Sequence, residues 1–504
     1  MSNAILDAII TNTKQFLDEM PKSARKKKGQ FFTSKETAIF MANLFDLNGL
    51  PEQVTVLDPG AGSGILSAAI IERLCSSGKF TAIHLVCYDT DDEIQDLLYR
   101  NLEIVSQLSC VPVEYEIRKE NYILSQQDDF NETLFANNDP PKYDIIIGNP
   151  PYLRVMRNDP CAEAMPKVVH GAPNLYFLFL AMSLFNLKDE CELVYIIPRS
   201  WTSGAYFTKF REYLFSKGKL LYIHLFVSRD KVFKEEEVLQ ETIIVKVKKT
   251  QTDYDFITIS SSRSNNDFEE VTRQDVPYST VISGTSSYVF LPTNQEELMV
   301  LETIGKYKTT MPDVGLRMRT GIVVDFRQWD DLRKEPGEHI LPLFYSQHIR
   351  DGRVNHNPSG KDYDWITDEK PSLIQKNKNY VFCKRFTAKE ERRRLQCGIY
   401  LAEDFPEYSH IGTQNKINYV DWIDERDISK ETAYGIYALL NSTIFDIYYR
   451  ILNGSTQVNS TEVNTIPVPP IEKINKIGEL LLCAEDLSTE TCDRLLQEVA
   501  YEQG

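Results

Sequence analysis

The chain has 504 residues, enough for two or more domains with ample core. Its 56 Lys and Arg stand against 73 Asp and Glu, a net charge of −17, which excludes nucleic-acid binding through overall charge and throws any such role onto local basic patches. The 9 Cys contain no CxxC pair and the 7 His are isolated, so neither a metal site nor a disulfide framework is expected, only free thiols in a reducing cytosol.

No secretory leader and no membrane-length apolar run is visible, so no membrane span is expected. Apolar residues at helical spacing over residues 4–20 predict an amphipathic helix. Arg25-Lys26-Lys27-Lys28 follows, either a phosphate contact or a solvated charged face. Thr33-Ser34-Lys35-Glu36 has the capping residues of a helix start.

Val54–Leu57 reads as a short strand running into Asp58-Pro59-Gly60-Ala61-Gly62-Ser63-Gly64 and a helical stretch from Ile65. Strand, glycine turn and helix form the unit by which backbone approaches a nucleotide-type cofactor. The turn is neither GxGxxG nor a P-loop. Asp58 at the strand end repels a pyrophosphate and suits a cofactor with a cationic amino-acid moiety. A second strand, Ile83–Tyr88, ends at Asp89, where a carboxylate can accept both ribose hydroxyls. A third, Val113–Ile117, is followed by Asn121 and Tyr122, an amide for an adenine amino group and an aromatic beside the ring.

The chain is organised around Tyr143-Asp144-Ile145-Ile146-Ile147-Gly148-Asn149-Pro150-Pro151-Tyr152. Three consecutive Ile predict a strand buried on both faces of a parallel sheet. Two prolines forbid its continuation, so the chain must turn out at the carboxyl end of the strand, where open α/β sheets bind ligands. It carries the Asn149 amide, the Pro150 carbonyl, the rigid Pro151 and the Tyr152 ring. Two acceptors and an aromatic face fit an exocyclic amino group on a flat base; the bland alternative is a Pro-Pro turn closing a strand.

These motifs together resemble the S-adenosylmethionine-dependent adenine-N6 DNA methyltransferases of type II restriction-modification systems, in the group whose cofactor motifs precede the catalytic one. Asn149–Tyr152 corresponds to the catalytic motif, Asp58–Gly64 to the cofactor loop, Asp89 to the ribose acid, and Gly29–Thr33 to the cofactor-closing element, with Phe31 and Thr33. Asn121-Tyr122 stands where the family usually has Asp-Phe, which keeps an acceptor and loses a charge. Pro173–Phe177 and Leu193–Pro198 match later motifs, and Phe233, before the strand Thr242–Val245, the aromatic that stacks on the flipped base. The resemblance implies that Asn149, Pro150, Pro151, Tyr152 and Phe233 are catalytic. It places the cofactor on Phe31, Thr33, Asp58, Gly60, Ala61, Gly62, Asp89, Asn121, Tyr122 and Asn149. It also implies a Rossmann-like α/β domain with a mostly parallel seven-stranded sheet over residues 1–250. Extruding the base costs about a few kcal/mol, part of which ~1–3 kcal/mol per base–aromatic contact returns.

Residues 251–290, rich in Ser and Asn around Ser260–Asp267, read as a linker, and 291–504 as a mixed α/β target-recognition domain with helices near 294–305, 431–450 and 472–500. Local cations and base-reading amides there make Arg317, Arg319, Arg350, Lys384, Arg385, Gln414, Asn415 and Gln457 candidate DNA contacts, with Lys167 in the long loop 153–172. Several stretches of this half resemble the PstI/BsuBI type, which recognises CTGCAG. The expectation is a monomeric cytoplasmic, prokaryotic and nucleoid-associated enzyme on double-stranded DNA, protecting it from a separate cognate restriction endonuclease. RNA or protein-glutamine methyltransferases share the acceptor motif but have no need of a second half with dispersed cations. A catalytically inactive DNA-specificity subunit would have no need of intact motifs.

Overall fold

A computed structural model describes residues 4–19, 33–226, 241–264, 268–284, 287–388, 391–453 and 457–501. The chain divides into two compact units, Met1–Thr293 and Asn294–Gly504.

The first unit is a sheet sandwiched by helices. In chain order it contains α1 (Ala4–Glu19), α2 (Lys35–Asn43), β1 (Gln53–Asp58), α3 (Ile65–Ser77), β2 (Ala82–Tyr88), α4 (Asp92–Leu108), β3 (Val113–Arg118), β4 (Tyr143–Gly148) and α5 (Leu175–Asn186). It continues with β5 (Leu187–Pro198), α6 (Thr208–Lys217), β6 (Lys219–Phe226), β7 (Thr242–Lys248), β8 (Phe256–Ser262) and β9 (Thr272–Pro277). The sheet order is β3-β2-β1-β4-β5-β7-β6-β8-β9. Neighbours from β3 to β5 are parallel, and β7 runs antiparallel between β5 and β6. The order reverses between β1 and β4, so the carboxyl ends of these two strands flank the crevice where doubly wound sheets take ligands.

The three Ile of β4 show why this strand is central. Ile145 and Ile147 join the core beneath α1–α4. Ile146 is equally buried and, one residue out of phase, faces the other layer. That layer includes α5, whose sequence LYFLFLAMSLFN is apolar nearly all round and buried at ten of its twelve positions. Buried Asp144 ties β4 to β1: one carboxylate oxygen accepts from the Thr55 amide (2.8 Å) and hydroxyl (2.7 Å), the other from Lys188 Nζ (2.9 Å).

The seven strands expected from sequence are present as β1–β7, and two more extend the sheet. Residues 251–290, expected to be a linker, contain β8 and β9. β8 lies parallel to β6, and β9 pairs antiparallel with β8. Serine made this segment look like loop, yet Ser260 and Ser262 face inward and hold the two ring nitrogens of buried His224 at 2.7 and 3.0 Å.

The second unit has a six-stranded sheet, ordered Leu316–Thr320, Ile417–Trp422, Tyr380–Lys384, Cys397–Tyr400, Arg353–Val354, Ile349–Arg350, and a separate five-stranded one. Its helices Gln295–Ile304, Lys430–Asn441, Thr443–Leu452, Ile471–Ala484 and Thr489–Tyr501 fall in the stretches expected to be helical, but the expected helices near 431–450 and 472–500 are each broken into two. Among the described residues no helix is long and apolar enough to cross a membrane.

Candidate active site

A cavity of about 640 Å³ opens at the carboxyl ends of β1, β2 and β4. The turn after β1 supplies Gly60, Ala61 and Gly62, the end of β2 supplies Asp89, the segment after β3 supplies Asn121 and Tyr122, and the turn after β4 supplies Asn149 and Pro151. Thr33 completes the set from the N-terminal side.

The glycine turn folds as it does for local reasons. Gly62 and Gly64 take positive φ (53° and 82°), which favours glycine, and Gly64 heads α3. The Ala61 amide donates to Tyr88 O (3.0 Å) and the Gly62 amide to Asp89 Oδ2 (3.0 Å), so the turn is tied to the end of β2. The second Asp89 oxygen accepts the Asp91 amide (2.9 Å). Gly60 differs: its φ is not positive, and a Cβ built there would come no closer than 3.8 Å to Asn149 O, Pro150 Cα or Phe179 Cε1. Neither backbone nor packing asks for glycine at 60; open space in the cavity does.

Asn149 is held on two sides. Its Nδ2 donates to Thr33 Oγ1 (3.2 Å), and its Oδ1 accepts the Tyr152 hydroxyl (2.9 Å), which is also 3.0 Å from Ile196 O. Burial pushes the Tyr152 hydroxyl well above its usual range, so it stays a protonated donor. An amide oxygen has two lone pairs, so Oδ1 can accept from more than one donor. Gly148 permits this elbow, because a Cβ there would press on the Tyr195 ring at 2.9 Å.

Other expected residues are placed differently. Asp58 is fully buried behind the turn and is not on the cavity wall. Its Oδ2 accepts from Ser67 Oγ (2.8 Å), while buried Oδ1 meets no donor at full hydrogen-bond geometry among the described residues. Burial, reinforced by the charge of Asp89 and opposed by hydrogen bonds from Ser67 and Gly60, pushes its carboxyl up to about 7. Asn121 caps the short helix Tyr122–Ser125, its Oδ1 accepting the Ile123 (3.0 Å) and Leu124 (3.2 Å) amides. That oxygen, expected to meet an adenine amino group, is committed to the backbone. Tyr122 lines the cavity, but its hydroxyl turns inward to Asn186 Oδ1 (2.9 Å). Tyr152 is half-buried and Pro150 buried, and neither lines the cavity. Phe31 and Phe233 lie outside the described residues.

Sequence reasoning missed the apolar wall, Leu175 and Phe179, whose i,i+4 spacing on α5 was the available signal. It also missed the carboxylates Asp91, Asp92, Glu93 and Glu120, which join Asp89 at the cavity.

In the second unit, Lys384, Arg385, Asn415 and Gln457 come together. Arg385 Nη1 donates to Asn415 O (3.0 Å), Phe386 bridges Gln457, and Lys384 Nζ meets Gln396 Oε1 (3.0 Å). Arg317 and Arg319 share one edge strand of the six-stranded sheet, and Arg350 lies on the opposite edge. Gln414 is a correction: it is 1 % exposed, with its amide on Asp325 Oδ1 (2.6 Å) and the Lys416 amide (2.9 Å), so the fold itself uses this side chain. In the first unit, the Lys167 ammonium donates to Phe130 O (3.0 Å).

Comparison with known proteins identifies the family. The chain is 33% identical over 486 residues to Type II methyltransferase M.BsuBI of Bacillus subtilis, covering 94% of each chain. The chain belongs to the type II methyltransferases. Type II methyltransferase M.PstI of Providencia stuartii is 32% identical over 485 residues, covering 94% of this chain and 93% of that one. Residues 75–233 match the family model described as Eco57I restriction-modification methylase. A solved structure of a nuclease-deletion mutant of the Type ISP restriction-modification enzyme LlaGI, with a DNA substrate mimic, superposes at TM-score 0.49 and 11% identity, covering 91% of this chain and 55% of that one.

This type II methyltransferase is thus a DNA methyltransferase of a restriction-modification system, and its cofactor is S-adenosylmethionine. The residues present fit that cofactor. Carboxylates on the wall repel a dinucleotide's pyrophosphate but suit ribose hydroxyls and a sulfonium. The space beside Gly60 agrees with a ligand lying close to the backbone.

Proposed function

We propose that this enzyme methylates N6 of an adenine swung out of a short duplex recognition sequence, protecting that sequence from a separate cognate endonuclease. The observation that carries the reading is the Asn149 amide on the wall of the same cavity as Gly60–Gly62 and Asp89, at the end of the central strand. When bound, S-adenosylmethionine supplies a methyl carbon made electrophilic by its sulfonium. Asn149 Oδ1 and the Pro150 carbonyl accept hydrogen bonds from the two adenine N6–H groups, those bonds draw the nitrogen lone pair out of the ring system, and one N6 proton is released to solvent once the nitrogen has taken the methyl group. Tyr152 offers its face to the base, and Thr33 fixes the Asn149 nitrogen on the far side. The main task is alignment of nucleophile and methyl group, which needs no Ser, Cys or His nucleophile.

In this reading Met1–Thr293 is the catalytic unit and Asn294–Gly504 reads the target through the Lys384–Arg385 and Asn415–Gln457 cluster and the Arg317–Arg319 strand. The enzyme acts as a cytoplasmic monomer, and the PstI/BsuBI resemblance makes CTGCAG the first sequence to test.

The test is expression in a host free of DNA methylation, followed by sequencing for modified bases. One motif carrying N6-methyladenine at a single position is expected, and Asn149→Ala abolishes it while S-adenosylmethionine still binds. Unmodified adenine in all host DNA would overturn the reading.

A further inference from the structure

The segment that leaves the Asn149–Tyr152 elbow carries exposed groups that methyl transfer does not use. Leu153 O accepts the Leu175 amide (2.8 Å) and the Val155 amide donates to Pro173 O (2.8 Å), fastening residues 153–155 to the chain entering α5. The next turn is closed by the Asp159 amide on Met156 O (3.1 Å). Asp159 in turn caps the short helix that follows, which buries Cys161 and Ala162. The segment is anchored at both ends, yet Leu153 is 42% exposed and Met156 is 73% exposed. Arg154 and Arg157 flank Met156, both exposed, and among the described residues neither guanidinium has an ion-pair or hydrogen-bond partner.

In a chain of net charge −17, two unpartnered guanidiniums within five residues of the elbow fit a polyanion. The apolar thioether between them fits something flat and apolar. A duplex opened at one base offers both in one place. Residues of this type enter base steps as wedges, and methionine adapts its shape to irregular apolar gaps. Because the turn is already ordered, little conformational freedom is lost on docking.

We propose that Met156 is a wedge that enters the base stack where the target base leaves it, with Arg154 and Arg157 on the flanking phosphates. The inference rests on the reading that the substrate is a base extruded from duplex DNA.

The test uses the full chain and a short duplex carrying the sequence mapped in host DNA. Met156→Ala is expected to lower kcat/KM about tenfold, an amount equal to ~1.4 kcal/mol, with the S-adenosylmethionine Kd unchanged. Removing the base opposite the target, which makes extrusion easier, is expected to restore most of that loss, and Met156→Leu to retain activity. Arg154→Ala and Arg157→Ala are each expected to reduce the slope of log K against log salt by about 1. An active wild type with Met156→Ala equally active, or equally impaired on paired and unpaired duplexes, sinks the wedge alone. A wild type that methylates no duplex sinks the function reading and the wedge with it.

Discussion

Replacing Gly60 by Ala separates folding from cofactor binding more cleanly than any other change at the site. The backbone at 60 does not have positive φ, and the added methyl would meet Asn149 O, Pro150 Cα and Phe179 Cε1 at 3.8 Å, which is ordinary contact. The folded protein therefore tolerates it, and restricting the unfolded chain stabilises by about 0.4–1 kcal/mol. Thermal unfolding of the ligand-free protein should show an unchanged or slightly higher Tm. Binding is different, because the methyl occupies space that the turn leaves beside the cofactor. Overfilling a close-fitting site costs about 1–3 kcal/mol, which is roughly 5–150-fold in affinity. Calorimetric titration with S-adenosylmethionine should find that loss. Gly148→Ala is the contrasting control: its methyl presses on the Tyr195 ring at 2.9 Å, and Tyr195 is itself held by Ser183 at 2.6 Å, so Tm should fall. Undiminished S-adenosylmethionine affinity in a folded Gly60→Ala protein would refute the placement of the cofactor against this turn.

Three further outcomes are expected. Tyr152→Phe keeps the ring but removes the donor that orients Asn149; losing about one hydrogen bond, ~1 kcal/mol, should slow single-turnover methyl transfer roughly fivefold without changing cofactor affinity, and a wild-type rate would show the hydroxyl to be dispensable. Asp58 titrates near 7 when folded, against an ordinary value of 3.8, so between these values the folded state binds more protons and stability falls as pH rises. Asp58→Asn should flatten that fall in denaturant titrations across the same range. Gln414→Ala should lower Tm and leave the methylated sequence unaltered in host-DNA sequencing, since its amide is spent on Asp325 and Lys416.

The central strands and their terminal residues were legible because short-range physics marks them. Ile145–Ile147 can only be a buried strand, Pro150 and Pro151 can only end it, and Gly62 and Gly64 sit where the backbone turns left-handed. Residue type does not disclose partners far along the chain. Gln414 looked like a base reader until Asp325, 89 residues away, took its amide. The Tyr122 hydroxyl meets Asn186 across 64 residues, and Asn121 spends its oxygen on its own helix. Arg394, in a run of three arginines, is wholly buried beside Asn453. Charge and amide chemistry were visible in the sequence, but which of these groups face solvent depended on the tertiary fold.

The two strands after residue 250 change where this protein can be cut. A fragment ending at the border suggested by composition would lose β8 and β9, bare the amide edge of β6 and strip both serines from His224. An open β edge is a template for pairing with other chains, so such a fragment should aggregate. A catalytic half intended to stay dispersed should instead run through Thr293.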